Sequence, residues 1–158
     1  MRILGIDPGT RACGYGVIET DGRSERAIDY GVVRARGAEL PARLKTIFDG
    51  LVEAVRAAEP EVAAVEGAFF GKNVRTALKI GEGRGVALLA AASCGVEVVE
   101  YAPAEVKKSV VGSGRAHKSQ VQKMVCTVLG LPEGELAEDA ADALAIAICH
   151  AHRSAGPA

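Results

Sequence analysis

The first third of the chain alternates short apolar runs with turn residues, a pattern typical of β-strands. Residues 2–7, RILGID, form an almost continuous apolar run of the kind found in a buried strand. Residues 14–20 and 27–33 follow as two more strands. The Asp-Gly pair in TDGRS, between them, indicates a hairpin turn. The pattern therefore predicts three consecutive strands, with the third antiparallel to the second.

From residue 40 the apolar positions change to a helical period, and Pro60 ends that helix. Its inward face carries Leu40, Leu44, Ile47, Phe48, Leu51, Val52 and Val55. Residues 61–66 predict a short strand. Asn73 is a suitable cap for a helix that runs to Ser93. We expect that helix to direct three leucines inward, namely Leu78, Leu88 and Leu89.

The last third predicts one strand and three helices. Residues 96–101 form the strand, Pro103 starts a helix to residue 111, GSGRAHKS is a loop, and GLP stops the next helix. The final helix covers about residues 138–152. Three strands followed by alternating helix and strand predict an α/β fold, a mixed five-stranded sheet flanked by helices on both faces. We expect one domain over residues 1–153 and a disordered tail over 154–158.

Composition places the chain among globular proteins. It has 158 residues, of which 49% are hydrophobic and 25% charged. No apolar run approaches the roughly 20 residues of a membrane span, and the N-terminus lacks the features of a signal peptide. We therefore expect a soluble cytoplasmic protein. Four scattered cysteines without a CxxC pair predict free thiols. A metal site at Cys149, His150 and His152 is the less favoured alternative, because no second ligand pair exists.

Charge is unevenly distributed, although the net charge is only −1. Residues 72–123 contain nine basic and four acidic side chains, whereas residues 133–142 contain five acids and no base. A basic middle beside an acidic cluster suits a protein that binds a polyanion and performs metal chemistry on it. Two ordinary solvated surfaces are the alternative.

Carboxylates follow two predicted strands: Asp7 ends the first, and Glu66 ends the fourth. Asp139 and Asp142 are three residues apart on the final helix, so they share a face. Four carboxylates at one edge of a sheet repel one another and require cations, and hard oxygen ligands suit Mg²⁺ or Mn²⁺. Alternatively, the two aspartates are favourable charges at a helix N-terminus. Helical spacing does not distinguish Glu138 from Asp139.

The loop GSGRAHKS resembles a phosphate-binding P-loop but departs from it twice. His117 replaces the required glycine, and the loop follows a helix instead of a strand. Arg115, His117 and Lys118 still suit the phosphates of DNA. Phe69 and Phe70 lie in a glycine-bounded loop after Glu66, where one ring is available to contact bases.

Five blocks together resemble the RuvC family of Holliday junction resolvases: GIDPGTRACGYGVI, VEGAFFGKN, ALKIGEGRGVALLAAA, EYAPAEVKKSVVGSGRAHKSQVQKMV and EDAADALAIAICH. The resemblance implies a ribonuclease H-like fold, a homodimer and two Mg²⁺ or Mn²⁺ ions per site. It places the ligands at Asp7, Glu66, Asp139 and Asp142, in preference to Glu138. Asp7 would bridge both ions, Glu66 would hold one, and the two aspartates the other. A branch-migration motor of the RuvA and RuvB type is the implied partner.

We therefore expect a structure-specific endonuclease that nicks four-way DNA junctions symmetrically and leaves 5′-phosphate and 3′-hydroxyl ends, in homologous recombination and DNA repair. The resemblance places lysines 107 and 118 near the cut and a loop aromatic at position 69. The predicted DNA contacts are Phe69, Lys72, Arg75, Lys107, Arg115, His117 and Lys118. Two alternatives are half of an actin-like or sugar-kinase ATPase, suggested by GIDPGT, and a junction-binding protein without catalysis. We predict no nucleotide cofactor.

Overall fold

The structure, a computed structural model, describes residues 1–67 and 73–156. Its strands are β1 (Arg2–Asp7), β2 (Ala12–Thr20), β3 (Glu25–Arg34), β4 (Val62–Glu66) and β5 (Glu97–Tyr101). Its helices are α1 (Leu40–Ala58), α2 (Val74–Ser93), α3 (Pro103–Val111), α4 (Lys118–Leu129) and α5 (Glu138–Ser154). These bounds confirm the predicted element order. α5 reaches Ser154, the first residue of the predicted tail.

The strands form one mixed five-stranded sheet in the order β3-β2-β1-β4-β5. β1 is antiparallel to β2, and β2 to β3, while β1, β4 and β5 run parallel. β1 therefore lies at the centre, where both faces are covered, and its middle four residues are buried. This is why its sequence is almost continuously apolar.

Helices cover both faces of the sheet, as predicted. On one face, α3, α4 and α5 enclose a core that includes Ile3, Val125 and Leu144. On the other face, α1 and α2 enclose a core that includes Leu4 and Leu51. Ile3 and Leu4 belong to different cores because successive side chains of a strand point to opposite faces.

Helix α5 lies directly on three glycines of the sheet. A Cβ atom added at Gly5 would lie 1.9 Å from the backbone oxygen of Ala143, and one at Gly14 would lie 1.9 Å from that of Asp139. At Gly16 the Cδ2 atom of Leu144 would be 2.6 Å away. We call these three glycines the glycine seat. Because the three glycines contribute no side chains of their own to this face of the sheet, α5 packs closely on it, and the seat determines where the helix crosses β1 and β2.

Helix α2 differs from its prediction in the face that it buries. Leu78 is 63% exposed and Leu89 is 59% exposed, so directing these two leucines inward was wrong. Leu88 is partly buried against the core. The helix buries small residues instead, which bring it close to its neighbours: Gly83, Ala87, Ala90 and Ala91.

The cap of α2 and the state of the cysteines agree with the predictions. The Asn73 side chain accepts hydrogen bonds from the N–H groups of Arg75 and Thr76 and so caps α2. All four cysteines are free. Among the described residues, no helix combines the length and apolar composition needed to cross a bilayer.

Candidate active site

Two acidic side chains meet at one edge of the sheet because their strands are adjacent and parallel. Ile6 pairs with Val65 in the register of β1 and β4, so Asp7 and Glu66 end these strands side by side. Beyond Glu66, the Gly67 N–H donates to the Tyr101 carbonyl at 2.9 Å and continues the pairing with β5. The predicted convergence of the strand-end acids is thus present.

The glycine seat brings two further acids to the same edge. Because the backbone of Asp139 rests on Gly14, the first turn of α5 lies over the start of β2, next to Asp7. Carboxylate oxygens of Asp7, Asp139 and Asp142 all lie within 4.8 Å of one another. Glu66 is outside that trio but lines the same pocket, which has a volume of about 360 Å³. We call these four residues the carboxylate cluster.

The cluster is short of positive charge. Burial first, and then the neighbouring carboxylates of Asp142, Glu66 and Asp139, together raise the pKa of Asp7 to about 7, against a smaller opposing effect of Lys118. Burial is also the largest cause of the raised pKa values of Glu66 and Asp142. Protein groups alone therefore leave Asp7 largely protonated below neutral pH.

These residues fit a divalent cation. Closely spaced carboxylate oxygens are the hard donors that Mg²⁺ and Mn²⁺ take, and a cation would remove the repulsion that raises the pKa of Asp7. Within residues 1–67 and 73–156, the trio is the only group of three or more acidic, histidine or cysteine side chains close enough to share an ion.

Lys118 supplies the positive charge nearest the cluster. Its Nζ atom lies 2.7 Å from Oδ2 of Asp142 and 2.5 Å from Oε1 of Glu138, and these two carboxylates raise its pKa. Glu138 therefore pairs with Lys118, while Asp139 joins the carboxylate trio. Helical spacing could not separate the two acids, and it contained no sign that Glu138 would contact α4.

The other predicted DNA contacts occupy different places. Lys107 lines the same pocket as the cluster, whereas Arg115 lines a separate groove between α3 and α4. His117 immediately precedes α4, and its N–H donates to the Gln120 side chain at 2.9 Å. Arg75 is exposed in the first turn of α2. Phe69, Phe70 and Lys72 lie outside the described residues.

The Cys149, His150 and His152 side chains make separate contacts. The Nδ1 atom of His150 lies 2.8 Å from the Tyr101 hydroxyl. His152 contacts Ser109 and lies 3.6 Å from a Glu25 carboxylate oxygen. Cys149 is buried in the core beneath α5.

Comparisons with known sequences point to one family. Residues 3–150 match the family model described as crossover junction endodeoxyribonuclease RuvC. The chain is 52% identical over 152 residues to the protein of that name from Moorella thermoacetica, covering 96% of this chain and 91% of that protein. It is 51% identical over 150 residues to the one from Shewanella amazonensis, covering 95% and 86%.

Comparisons with solved structures agree. T. thermophilus RuvC in complex with Holliday junction substrate matches with a TM-score of 0.91 and 36% identity, covering 98% of this chain and 95% of that chain. The yeast mitochondrial Holliday junction resolvase Ydc2 matches with a TM-score of 0.62 at 14% identity, covering 95% and 78%, which supports the fold alone. The predicted ribonuclease H-like fold is confirmed.

Proposed function

This chain belongs to the crossover junction endodeoxyribonuclease RuvC family, and we propose from this that it is an endonuclease which resolves four-way DNA junctions. The observation that carries the proposal is the carboxylate trio of Asp7, Asp139 and Asp142 in a pocket that Lys107 and Lys118 also line. Acids that bind cations, next to lysines that attract phosphate, are the groups that phosphodiester hydrolysis requires.

In this proposal, Asp7, Glu66, Asp139 and Asp142 hold two Mg²⁺ or Mn²⁺ ions. Asp7 would take part in holding both ions, since it lies within 4.8 Å of Asp139 and Asp142 and ends its strand beside Glu66. When bound, such ions supply an activated water and charge stabilisation for the leaving oxygen. The protein fixes the four ligands on two strand ends and one helix turn, so little reorganisation accompanies binding of the substrate.

The walls of the pocket orient the backbone of the DNA. Lys107 and Lys118 attract the phosphate, and Lys118 exchanges its carboxylate partners for phosphate oxygens as the strand enters. Apolar side chains of Val106, Val121 and Ile146 also line the pocket. Phe69, Lys72, Arg75, Arg115 and His117 remain predicted DNA contacts.

Paired symmetric nicks require two sites, and we infer a two-fold homodimer that provides them. Helix α2 offers a suitable surface, an exposed stripe at helical spacing that is apolar or lacks side chains: Val74, Leu78, Gly81, Gly85 and Leu89. In the described part of the chain, no atom beyond the neighbouring turns of the helix lies within 4 Å of a Cβ added at Gly81 or Gly85, so a partner helix has room to approach. Gly83 and Ala87 of the same helix are buried within the chain and so are not part of this stripe.

The biological setting is part of the proposal. Cuts that leave 5′-phosphate and 3′-hydroxyl ends in two strands of like polarity produce duplexes that a ligase can seal, as homologous recombination and DNA repair require. We place the protein in the cytoplasm. We also propose a branch-migration motor of the RuvA and RuvB type as its partner on the junction.

The decisive experiment compares substrates and metals. The wild-type protein is incubated with a synthetic four-way junction, a linear duplex and a Y-fork, each with Mg²⁺, Mn²⁺ or EDTA. We expect paired nicks in the junction alone and only with a divalent ion. Asp7→Asn and Glu66→Gln should abolish cleavage yet retain junction binding, because removing negative charge does not weaken attraction for phosphate. Cleavage by either variant at the wild-type rate would refute the ligand assignment.

A further inference from the structure

Besides the lysines of the pocket, three arginines lie at the edge of the sheet that carries the carboxylate cluster. β2 begins and β3 ends at this edge, because both pairings from β1 to β3 are antiparallel. Arg34 pairs with Ala12 in the register, and the Ala35 N–H donates to the Arg11 carbonyl at 2.8 Å. Arg11, Arg34 and Arg36 are all exposed. We call these three residues the arginine edge.

The pleat of the sheet shows which way Arg34 faces. Gly14 and Gly16 face α5, because a Cβ on either would meet that helix. Ala12 is two residues from Gly14, so Ala12 and its register partner Arg34 face the same side. Arg34 therefore lies on the α5 side of the sheet. Measured along the strands, it is one pleat repeat, about 7 Å, beyond Gly14, on which Asp139 rests, and it is also one strand further out.

The arginine edge has no carboxylate partner in the described part of the chain. Arg2, Arg26, Arg84 and Arg153 form ion pairs there, but the three arginines of the edge do not. Arg11 makes one long hydrogen bond, 3.4 Å, to the Gly37 carbonyl. Exposed guanidinium groups without protein partners are available for an anion from outside.

Hydrogen bonds from a buried side chain of α1 hold the backbone that carries these three arginines. Arg43 on α1 is buried, and its guanidinium donates to the carbonyls of Thr10, Gly37 and Ala38 at 3.2, 3.1 and 2.7 Å. Thr10 directly precedes Arg11, and Gly37 directly follows Arg36. Both loops of the arginine edge are thus tied to one buried side chain, which reduces the conformational entropy lost on binding.

We propose that Arg11, Arg34 and Arg36 bind backbone phosphates of a duplex arm of the junction, as the second basic wall of a cleft whose first wall holds Lys107 and Lys118. This inference rests on the proposed function and extends its DNA site to β3. From β1 to β3 is two strand spacings, about 10 Å. That separation is close to the roughly 12 Å width of a DNA major groove, so one strand lies on the carboxylate cluster and the strand across the groove on the arginines.

The test measures how binding depends on salt. Affinity of the full chain for a fluorescent four-way junction is determined in EDTA, where no cutting occurs, over a range of salt concentrations. Each lost phosphate contact lowers the slope of log Kd against log salt by roughly one. Arg34→Gln with Arg36→Gln should therefore lower it by about two, while Arg34→Lys with Arg36→Lys, which keeps both charges, should retain it.

Arg23→Gln is the matched control. Arg23 is an exposed arginine in the turn at the far end of β2 and β3, about 30 Å from the arginine edge by the nine-residue length of β2. It should leave the slope unchanged. A wild-type slope in the double glutamine variant, or an equal loss in Arg23→Gln, would overturn the inference.

A second measurement locates the contacts. Junctions carrying a single neutral methylphosphonate linkage at successive positions of one arm are bound by the wild type and by the double glutamine variant. Phosphates touched by Arg34 or Arg36 should weaken binding when neutralised in the wild type but not in the variant. Equal weakening in both proteins at every position would contradict the inference. Failure of the wild type to bind or cut junctions would instead remove the proposed function.

Discussion

Asp7 carries its charge where burial and neighbouring carboxylates both oppose it. Its pKa is about 7 in the folded protein, against 3.8 for an ordinary aspartate. Between these two values the folded state holds a proton that the unfolded state has released. The free energy of unfolding therefore falls as pH rises from about 4 to about 7, and this contribution stays unfavourable above that range.

We predict that Asp7→Asn stabilises the metal-free protein at pH 8 and flattens its stability between pH 4 and pH 7. The amide has no charge to desolvate, so the free energy of unfolding should rise by on the order of a few kcal/mol at most. Urea unfolding in EDTA across this pH range measures it. Mg²⁺ should raise the stability of the wild type at pH 8 and do so far less for the variant.

Asp49→Asn is the control for this prediction. Asp49 is an exposed aspartate on α1 that pairs with Lys45, far from the carboxylate cluster. Its replacement should change stability by a few tenths of a kcal/mol and leave the pH profile as it is. An Asp7→Asn profile parallel to that of the wild type would show that repulsion at Asp7 is not the cause.

The predicted contribution of Lys118 to DNA binding comes from its charge. We predict that Lys118→Ala lowers the salt slope of junction binding by roughly one and slows cleavage, because a phosphate contact near the cut is lost. Lys45→Ala on α1 removes the same charge from a distant surface and should change neither quantity. An unchanged slope together with unchanged cleavage in Lys118→Ala would show that this lysine does not contact the DNA.

Among the elements, α5 shows how a sequence pattern can identify a site without placing it. The run EDAADALAIAICH around Asp139 and Asp142 is rich in alanine, which allows close packing on the sheet, and the apolar runs of residues 2–7 and 61–66 predicted strand ends at Asp7 and Glu66. Which residues of the sheet receive the helix depends on Gly5, Gly14 and Gly16. Glycines in strands have several possible roles, so their part in positioning α5 emerges only from the three-dimensional contact.

We predict that Gly14→Ala displaces the first turn of α5. The added methyl would overlap the backbone oxygen of Asp139, which can move only with the helix. Overpacking of this kind lowers the free energy of unfolding by about 1–3 kcal/mol or more. Cleavage should fall by at least an order of magnitude, and Mg²⁺ should stabilise the folded variant less than it stabilises the wild type.

Gly67→Ala provides the comparison. It also adds a methyl beside a member of the carboxylate cluster, but the nearest atom, the Tyr101 carbonyl oxygen, would be 3.5 Å away, an ordinary contact. This variant should keep most of the stability and its response to Mg²⁺. Equal behaviour of the two alanine variants would argue against positioning by the glycine seat.

At the scale of the whole molecule, α2 shows why hydrophobic periodicity alone does not predict which residues the single chain buries. Its leucines suggested an inward face, yet Leu78 and Leu89 are exposed while alanines and Gly83 face the core. An apolar stripe has the same periodicity whether it faces its own sheet or a second subunit. Likewise, the pairing of Lys118 with Glu138 depends on how α4 and α5 pack together. The side of the sheet on which Arg34 lies depends on strand register, and no local sequence pattern contains either.

We predict that Leu78→Glu with Leu89→Glu yields a folded monomer. Placing charges on the stripe should prevent association without disturbing the core, since both side chains are solvent-exposed in the subunit. Sedimentation at micromolar concentration should show a dimer for the wild type and a monomer for the variant, which should no longer make paired nicks.

Ile28→Glu tests the same change elsewhere. Ile28 is a 39% exposed aliphatic residue on β3, remote from α2, and its replacement should leave the dimer intact. A wild-type protein that sediments as a monomer and binds junctions one to one would count against the dimer as a whole.

The carboxylate cluster joins the first strand of the chain to its last helix, and this has a consequence for how the protein is made. Asp7 leaves the ribosome 132 residues ahead of Asp139, and Asp142 follows three residues after that. Until α5 reaches the glycine seat, the trio does not exist and one face of β1 is uncovered. A nascent or truncated chain therefore has no nuclease site, and cutting of DNA begins only after the final helix has folded onto the sheet.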